Sequence, residues 1–366
     1  MKNKLNIVMI ALLLAFCLLF SACGSKSAAQ TTPTEQPVPE AAPAAEAAPA
    51  AEAPSAEEAA PAEAPAETEA AGADAVRVLV LNGTTGFGMA GLMAESAAGN
   101  TALNYSFGVE TDASNISAAL ISGECDIAAL PTNAASALYN KTQGQVRVLA
   151  LNTRGVLYLM SDGMMDLKSF ADLDGRTVYV PAQNPSFIFA YLCQANGVNV
   201  TIDNTYAQPA ELSAALASGQ VSLAVLPEPM VTATIIKNTD LMLNLDLTAE
   251  WNKVAEPGSL VQGCVVVRSE FADTHPAELA AFLKEYEESV NLLSTDISGA
   301  AQKIEAAGIF PQAVIAERAI PHYNVCFVTG EQMKSELSAF LKIMFEAAPQ
   351  SIGGALPADD FYCILK

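Results

Sequence analysis

The feature that most constrains the fold of this chain is an internal repeat with an offset of 96 residues. Segment 118–141 (AALISGECDIAALPTNAASALYNK) aligns with segment 214–237 (AALASGQVSLAVLPEPMVTATIIK), and 10 of the 24 aligned positions are identical. Each copy has the pattern of a helix end, a glycine-centred turn, a short apolar strand and a proline-led loop into the next helix. Because a solenoid needs three or more copies, two copies predict two similar lobes.

The sequence around the repeat alternates short β-rich runs with helical patterns, which predicts an α/β fold. The first such run is VRVLVL at 76–81, and SLVQGCVVVRSEF at 259–271 can carry the chain back to the lobe in which it began. We expect residues 76–164 and 264–366 to form the first lobe and residues 165–263 to form the second. Two connections between the lobes would allow them to close on each other about a hinge.

The N-terminus has the pattern of an export signal. Two lysines precede an apolar run at 7–20, which Ser21, Ala22 and Cys23 follow. A run of about 14 residues is shorter than the ~20 that span a bilayer. The site resembles the processing site of bacterial lipoproteins, which implies that residues 1–23 are a signal peptide and that Cys23 is lipidated. The alternative is an ordinary signal peptide that happens to contain Cys23.

Residues 24–75 are rich in Ala, Pro and Glu and contain ten acidic side chains and one basic one. Such a segment buries too little apolar surface to offset the entropy of ordering, and its prolines interrupt helices. We therefore expect a disordered tether. Together with a lipid on Cys23, the tether would hold the lobes at the outer face of the bacterial cytoplasmic membrane, so that the lipid is the only contact with the membrane.

The charge and cysteine patterns exclude several classes of protein. The chain has 40 acidic and 18 basic side chains, whereas a nucleic-acid footprint needs clustered Lys and Arg, so we expect no nucleic-acid partner. Five cysteines lie at irregular spacing in the folded part, which favours free thiols over a disulfide framework or a zinc site. We expect neither a metal nor a cofactor. These cysteines are Cys125, Cys193, Cys264, Cys326 and Cys363.

Polar loops follow several predicted strands, and ligands in open α/β sheets bind beyond the carboxyl ends of the strands. Glycines in the loop after the first strand would let its backbone approach a ligand closely. The loops after the two repeat strands would face each other across a cleft. We expect ligand contacts from Asn82, Gly83, Thr84, Thr85, Gly86, Thr132, Asn133, Asn152, Thr153, Arg154, Gln183, Asn184, Ser186 and Glu228.

Several of these residues also have a structural explanation. Thr132, Asn133 and Glu228 suit the caps or first turns of helices. Asn184, which a proline follows, predicts a helix start with Asn184 as the N-cap and free N–H groups that favour an anion. Arg154 could bind an anionic group of a ligand or pair with an acidic side chain of the protein.

Glycines 86, 88 and 91 match the G-x-G-x-x-G pattern of dinucleotide-binding proteins, and Glu110 follows 19 residues after Gly91. A glycine loop before a helix suits any polar ligand, however, and an exported protein meets little nicotinamide cofactor. We therefore disfavour a dehydrogenase. The sequence has only two histidines and lacks the G-x-S-x-G, H-E-x-x-H and phosphate-loop motifs, which favours binding over catalysis.

Five segments together resemble the solute-binding lipoproteins of ABC importers, and the closest group is the nitrate/sulfonate/taurine and thiamine-precursor binding family. The segments are NGTTGFGMAGLM (82–93), SGECDIAALPTNAA (122–135), LNTRGVLYL (151–159), LPEPMVT (226–232) and GCVVVRSEF (263–271). The resemblance implies the type II periplasmic-binding-protein fold, with two α/β lobes that two crossing strands join around a ligand cleft. It also implies a monomer, not an enzyme, that delivers a small molecule to a permease and an ATPase.

One departure from the family pattern bears on the ligand. Many relatives have Gly-Ser-Thr-Pro before the helix of the second lobe, where this chain has AQNP at 182–185, and so no named substrate carries over. The loop donors and Arg154 predict a small anionic or zwitterionic ligand, whose cationic group Glu228 would suit. Two alternatives are a sensing lipoprotein that feeds a membrane receptor and an enzyme of the thiamine-pyrimidine synthase type. Those synthases have a Cys-rich iron motif that this chain lacks, and they act inside cells.

Overall fold

The computed structural model describes residues 75–365 of the chain. The predicted signal peptide, the lipidation of Cys23 and all but the last residue of the predicted tether lie outside the described residues. The described strands are, in chain order, β1 (Val76–Leu81), β2 (Tyr105–Glu110), β3 (Ile127–Pro131), β4 (Val146–Arg154), β5 (Leu157–Asp162), β6 (Thr177–Tyr179), β7 (Thr201–Asp203), β8 (Leu223–Pro227), β9 (Leu241–Asp246), β10 (Val261–Arg268) and β11 (Val325–Val328).

Helices connect most of these strands, as the alternating pattern predicts. The α-helices are α1 (Ala90–Ala97), α2 (Ala113–Ser122), α3 (Thr132–Thr142), α4 (Asn184–Ala195), α5 (Pro209–Ala217), α6 (Met230–Lys237), α7 (Leu247–Val254), α8 (Ser269–Thr274), α9 (Pro276–Thr295), α10 (Ile297–Ala306), α11 (Ala313–Ala319) and α12 (Gly330–Ala347). Short 3₁₀ helices lie at Thr84–Met89, Phe170–Leu173, Ile320–His322, Pro349–Ile352 and Asp359–Phe361. Within residues 75–365, no helix is both long enough and apolar enough to cross a bilayer.

The strands form two sheets. The first has six strands in the order β11-β4-β10-β3-β1-β2, and the second has five in the order β7-β6-β8-β5-β9. In each sheet the strands from the βα units run parallel to one another, and β11, at the edge of the first sheet, runs antiparallel to β4. One strand in each sheet arrives from the other sheet and runs antiparallel to both of its neighbours. That strand is β10 in the first sheet and β5 in the second. The two sheets therefore exchange one strand each, which ties the lobes together.

The boundary that we expected after residue 164 is wrong, because β5 belongs to the second sheet. It pairs with β8 and β9, so that the chain changes sheet at Gly155 and Val156. The return crossing precedes β10, which begins at Val261 and pairs with β3 and β4. A β-carbon on Gly155 would collide with Thr248 and Leu260, because the two crossings pass close together there. The continuous apolar pattern of 146–160 predicts strands but cannot assign them to a sheet.

The structure confirms the 96-residue repeat as a repeat of secondary structure. Helices α2 and α5, strands β3 and β8, and the glycines that end the two helices all lie 96 residues apart. Gly123 has a φ of 78° and Gly219 has a φ of 76°, the left-handed conformation that stops a helix. Each repeat strand lies beside the antiparallel strand of its sheet, so the two copies have equivalent surroundings.

The apolar core continues from one sheet to the other. One cluster of buried side chains includes residues of β3 and β4 in the first sheet and of β5 and β8 in the second. Trp251 of α7 packs against Phe340 of α12 with ring centroids 5.9 Å apart, and its Nε1 donates a hydrogen bond to Ser259 Oγ. This packing joins the lobes along one side and leaves the carboxyl ends of the parallel strands open on the other.

Candidate ligand-binding site

A cavity of about 540 Å³ lies between the carboxyl ends of the parallel strands of the two sheets. The first sheet contributes the loop after β1 and Pro131 at the end of β3, and the second contributes the starts of α4 and α5 and the loop after β8. Ligands of open α/β sheets bind at this position. The lining residues are Leu81, Asn82, Gly83, Thr84, Thr85, Pro131, Thr153, Val156, Leu157, Asn184, Pro185, Gln208, Pro209, Ala210, Pro227, Glu228, Pro229, Met230, Gln262, Gly308, Ile309, Phe310 and Pro311.

The loop after β1 forms one wall of the cavity through residues 82–85. Gly83 has a φ of 89°, and its N–H donates a hydrogen bond to the Ile309 carbonyl at 3.1 Å. Gly86 lies behind the wall, where a β-carbon would collide with the Leu81 carbonyl oxygen. The structure therefore places Asn82, Gly83, Thr84 and Thr85 in the cavity wall and Gly86 outside it.

The other two glycines of the G-x-G-x-x-G pattern serve helix packing. A β-carbon on Gly88 would lie 2.8 Å from Tyr286 Oη, and one on Gly91 would lie 2.6 Å from Ser289 Oγ, both on α9. Ser289 Oγ also accepts a hydrogen bond from the Leu92 N–H at 2.9 Å. A side chain of the protein thus occupies the start of α1 that a dinucleotide phosphate would need.

In the first repeat copy the polar loop residues bind other parts of the protein. Thr132 is fully buried, and its Oγ1 donates to the Val261 carbonyl at 2.8 Å. Asn133 Oδ1 accepts a hydrogen bond at 2.8 Å from Asn184 Nδ2, which links the two sheets at the edge of the cavity. Thr132 and Asn133 are not lining residues, whereas Asn184 is.

The helix after β6 differs from the prediction. Helix α4 begins at Asn184, and Gln183, with a φ of 65°, is the residue before it, so Asn184 is not the N-cap that we expected. The Asn184 side chain extends to the neighbouring lobe instead of capping its own helix. Gln183 is exposed, and Ser186 Oγ accepts a bond from Asn204 Nδ2 at 3.3 Å; both lie outside the cavity lining.

In the second copy Glu228 lines the cavity and is only 2% exposed. Its Oε2 accepts a hydrogen bond from the Thr232 N–H at 3.0 Å, and its Oε1 accepts one from Thr232 Oγ1 at 2.9 Å. Burial raises the pKa of Glu228 above its ordinary value, although the bonds from Thr232 and the charge of His322 act in the opposite direction. Glu228 therefore both satisfies a backbone N–H in the first turn of α6, whose N-cap is Pro229, and can contact a ligand.

At the end of β4, one residue lines the cavity and its two neighbours bind other parts of the protein. Thr153 lines the cavity, while Asn152 Nδ2 donates to the Thr85 carbonyl at 2.9 Å and so supports the wall from behind. Arg154 lies away from the cavity and pairs with Glu336 at 3.0 Å and with the Gly258 carbonyl at 2.9 Å. Of the two roles that we considered for Arg154, the structure shows the ion pair within the protein.

Sequence reasoning missed several lining residues. Gln208 and Pro209 open α5 after β7, and the same pattern of a polar residue before proline at a helix start could have identified them. Gln262 on β10 gave no signal, although its Oε1 accepts a bond from the Val156 N–H at one crossing between the sheets. Residues 308–311 also line the cavity, but they follow a helix instead of a strand, so no local pattern marks them.

The cysteines of the described residues are free, as we expected. Cys125, Cys193 and Cys264 are buried, and Cys326 and Cys363 are partly exposed. Burial raises the pKa of the Cys125 thiol to about 12. Within residues 75–365, no group of three or more His, Cys, Asp or Glu side chains is arranged to hold a metal ion.

Two α/β lobes that exchange one strand each around a cleft define the type II periplasmic-binding-protein fold. The chain belongs to the family described as "NMT1/THI5 like", whose sequence profile matches residues 103–296, more than half of its length. No curated protein sequence matches the chain.

Solved structures share this fold. An ABC transporter protein from Parabacteroides distasonis is 21% identical, with a TM-score of 0.69 over 80% of this chain and 100% of that one. The periplasmic aliphatic sulphonate binding protein SsuA from Escherichia coli is 12% identical, with a TM-score of 0.62 over 77% and 90%. The periplasmic nitrate-binding protein NrtA from Synechocystis is also 12% identical, with a TM-score of 0.54 over 76% and 84%. At these identities the likeness establishes the fold alone.

Proposed function

We propose that this protein is an exported, lipid-anchored solute-binding protein that delivers a small polar ligand to the permease and ATPase of an ABC importer. The observation that carries the proposal is the cavity between the sheets, to which both lobes contribute loop ends. Its volume of about 540 Å³ lies within the ~300–1,000 Å³ of small-molecule sites. The printed names of the similar structures, which include a sulphonate binder and a nitrate binder, support the same role.

A ligand in this cavity would contact both lobes and would therefore favour the closed arrangement over an open one. The Asn133–Asn184 hydrogen bond joins the lobes at the edge of the cavity, whereas the Trp251–Phe340 packing joins them along the core. Opening would bend the two crossings and break the hydrogen bond at the edge. Small-angle scattering should show compaction when ligand saturates the protein, and no compaction would contradict closure.

Binding is tested by thermal unfolding against a panel of sulfonates, nitrate, pyrimidines, amines and amino acids. A ligand at 100 times its dissociation constant adds ~2.7 kcal/mol to stability. Ala210→Trp should abolish the shift because it fills the cavity, whereas Ala190→Trp, at an exposed position of α4 outside the lining, should leave it unchanged. A shift that survives Ala210→Trp would mean that the ligand binds elsewhere.

The anchor is tested separately. Cys23→Ala should release the protein from membranes during fractionation, and persistent membrane association of the variant would contradict lipidation of Cys23.

The importer role needs a second observation, since a sensing lipoprotein would bind the ligand equally well. Uptake of the ligand should fall when the protein is removed and should return when the unaltered chain is restored; signalling without uptake would favour the sensor.

A further inference from the structure

The cavity has an unbalanced distribution of charge. Among the lining residues within 75–365, Glu228 has the only ionisable side chain. Arg154 lies outside the cavity, where it pairs with Glu336. In residues 75–365, no ion pair includes Glu228. A buried carboxylate is costly unless a charge or further hydrogen bonds compensate it. The cavity thus contains a buried carboxyl group that no ion pair compensates, although the charge of His322 acts on it from beyond ion-pair distance.

Three of the backbone donors expected to bind an anion are already engaged within the protein. The Gly83 N–H donates to the Ile309 carbonyl at 3.1 Å, and the Gly86 N–H donates to the Gly83 carbonyl at 3.0 Å. At the start of α4, the Phe187 N–H donates to the Gln183 carbonyl at 3.1 Å. These three backbone groups are therefore not free to hold an anion in place of Arg154.

Glu228 has acceptor capacity left. An ionised carboxylate has about four lone-pair sites, and the two bonds from Thr232 use two of them. Thr232 lies in the first turn of α6, which begins two residues after Glu228, so its bonds fix the carboxylate in place without neutralising it. The surrounding walls include Met230, Ile309 and Phe310, which can pack against the carbon skeleton of a ligand.

We propose that the ligand carries a protonated nitrogen, as an ammonium or amidinium group, and that Glu228 binds this group. The inference rests on the proposed function and narrows its ligand class: cations and zwitterions bind, and simple anions do not. The first repeat copy has no carboxylate at the position of Glu228. The equivalent residue there is the neutral Thr132, whose hydroxyl donates a hydrogen bond to the Val261 carbonyl of β10. The alternative is a protonated Glu228 that donates a hydrogen bond to an anion, and the following test separates the two.

The charge preference of the cavity can be measured before any ligand is identified. Met230→Cys places a thiol in the cavity wall two residues from Glu228, and methanethiosulfonate reagents with a trimethylammonium or a sulfonate head then report the charge preference there. Peptide mass spectrometry at residue 230 of the full chain separates this reaction from the native cysteines. The rate of the trimethylammonium reagent is divided by that of the sulfonate reagent, and this ratio is divided by the same ratio for free cysteine. Both rates are measured in ~0.5 M salt, which screens the general negative charge of the protein.

We expect a normalised preference for the cationic reagent of about tenfold, which Glu228→Gln should reduce to near one. The matched control is Glu250→Gln, which removes the same charge from a buried glutamate of α7 that does not line the cavity, and it should keep the preference. A ratio near one with Glu228 present would overturn the inference, as would a ratio that Glu228→Gln leaves unchanged. The first of these results needs only the Met230→Cys chain, so it holds even if Glu228→Gln fails to fold.

The ligand panel then separates this inference from the proposed function. Compounds with a protonated nitrogen should stabilise the protein, and Glu228→Gln should weaken their binding by at least about a hundredfold. A simple anion that binds in the cavity and keeps its affinity in Glu228→Gln would overturn the inference while supporting the proposed function. If no compound gives a thermal shift that Ala210→Trp removes, the result counts against the proposed function. The ratio of the two reagent rates would still decide the charge preference of the cavity.

Discussion

The two copies of the internal repeat have the same backbone plan but use it differently. Pro131 and Pro227 end equivalent strands, and both line the cavity. The next residue is Thr132 in the first copy, where its hydroxyl binds the carbonyl of Val261, and Glu228 in the second, where a buried carboxylate lines the cavity. A repeat therefore preserves where a side chain is placed, while the residue at that place decides whether it supports the scaffold or lines the cavity.

The helices that follow the two repeat strands, α3 and α6, show the same contrast near their N-termini. Ser136 of α3 and Thr232 of α6 are equivalent, and both use a hydroxyl as a donor. Ser136 Oγ donates to the Ile352 carbonyl at 3.0 Å and so fixes the C-terminal segment, whereas Thr232 Oγ1 donates to Glu228. One copy thus uses its hydroxyl for the stability of the first lobe, and the other uses it to orient the candidate ligand contact.

The largest expected effect comes from removing the carboxylate of Glu228 in the second copy. Glu228→Gln should weaken binding of a cationic ligand by at least a hundredfold, since breaking a buried ion pair costs about 3–5 kcal/mol. The ligand-free variant should be as stable as the unaltered chain or more so, because burial penalises the carboxylate. Titration calorimetry and thermal unfolding measure the two quantities. A variant that binds normally would show that the copies do not differ in ligand contact.

A second contrast lies at the start of the repeat strands. Asp126 is buried before β3 and pairs with Arg77 and Arg268, whereas the equivalent residue of the second copy is the exposed Ser222. Asp126→Asn should lower the free energy of unfolding by about 2 kcal/mol, less than for a fully buried pair because Arg77 is 39% exposed. Ser222→Ala should change it by less than ~0.5 kcal/mol. Urea unfolding measures both, and equal effects would remove the contrast.

The paired hydroxyls provide a smaller and reciprocal test. Ser136→Ala should lower the free energy of unfolding by about 1 kcal/mol and leave binding unchanged. Thr232→Val should instead weaken binding by about tenfold, because it removes one of the two hydrogen bonds that orient Glu228. The two variants are compared in the same unfolding and binding assays. Loss of binding in Ser136→Ala would show that the first copy also positions the ligand.

The smallest expected effect concerns the pH dependence of stability. Ionisation of Asp126 should stabilise the fold, whereas ionisation of Glu228 should destabilise it. Burial alone would raise the pKa of Asp126, but the bonds from Arg77 and Arg268 outweigh it and lower the pKa. Its contribution to stability is therefore present above the pKa of the unfolded chain and is lost as pH falls through the lower folded pKa. Asp126→Asn should flatten the acid limb of stability measured by unfolding between pH 2 and 5.

For Glu228 the folded pKa is raised, so its charge costs stability above that pKa, and binding of a cation is lost as pH falls through it. The groups that bear on this titration are His322, whose charge favours the carboxylate, and the buried hydroxyls of Tyr158 and Tyr323. Affinity for a cationic ligand should therefore decline at a higher pH than an ordinary glutamate would produce. Affinity that rises as pH falls would instead indicate a protonated Glu228.

Much of this fold is encoded locally. Alternating apolar patterns identified the strands, glycines such as Gly123 and Gly219 marked helix ends, and the 96-residue offset predicted two lobes. Loops after β1 and β8 could be named as candidate ligand contacts because ligands of α/β sheets bind at the carboxyl ends of strands. Each of these signals depends on neighbouring residues or on a comparison within the chain, so the sequence alone determined the α/β class, the two lobes and the position of the cleft.

Tertiary structure decided what depends on distant partners. The assignment of β5 to the second sheet follows from pairing with β8 and β9, which no local pattern specifies. Arg154 pairs with Glu336, 182 residues away, and Thr132 binds Val261, 129 residues away, so neither lines the cavity. Donors and acceptors in a folded chain are satisfied by whichever group packing brings within about 3 Å, and that distance is unrelated to separation along the sequence.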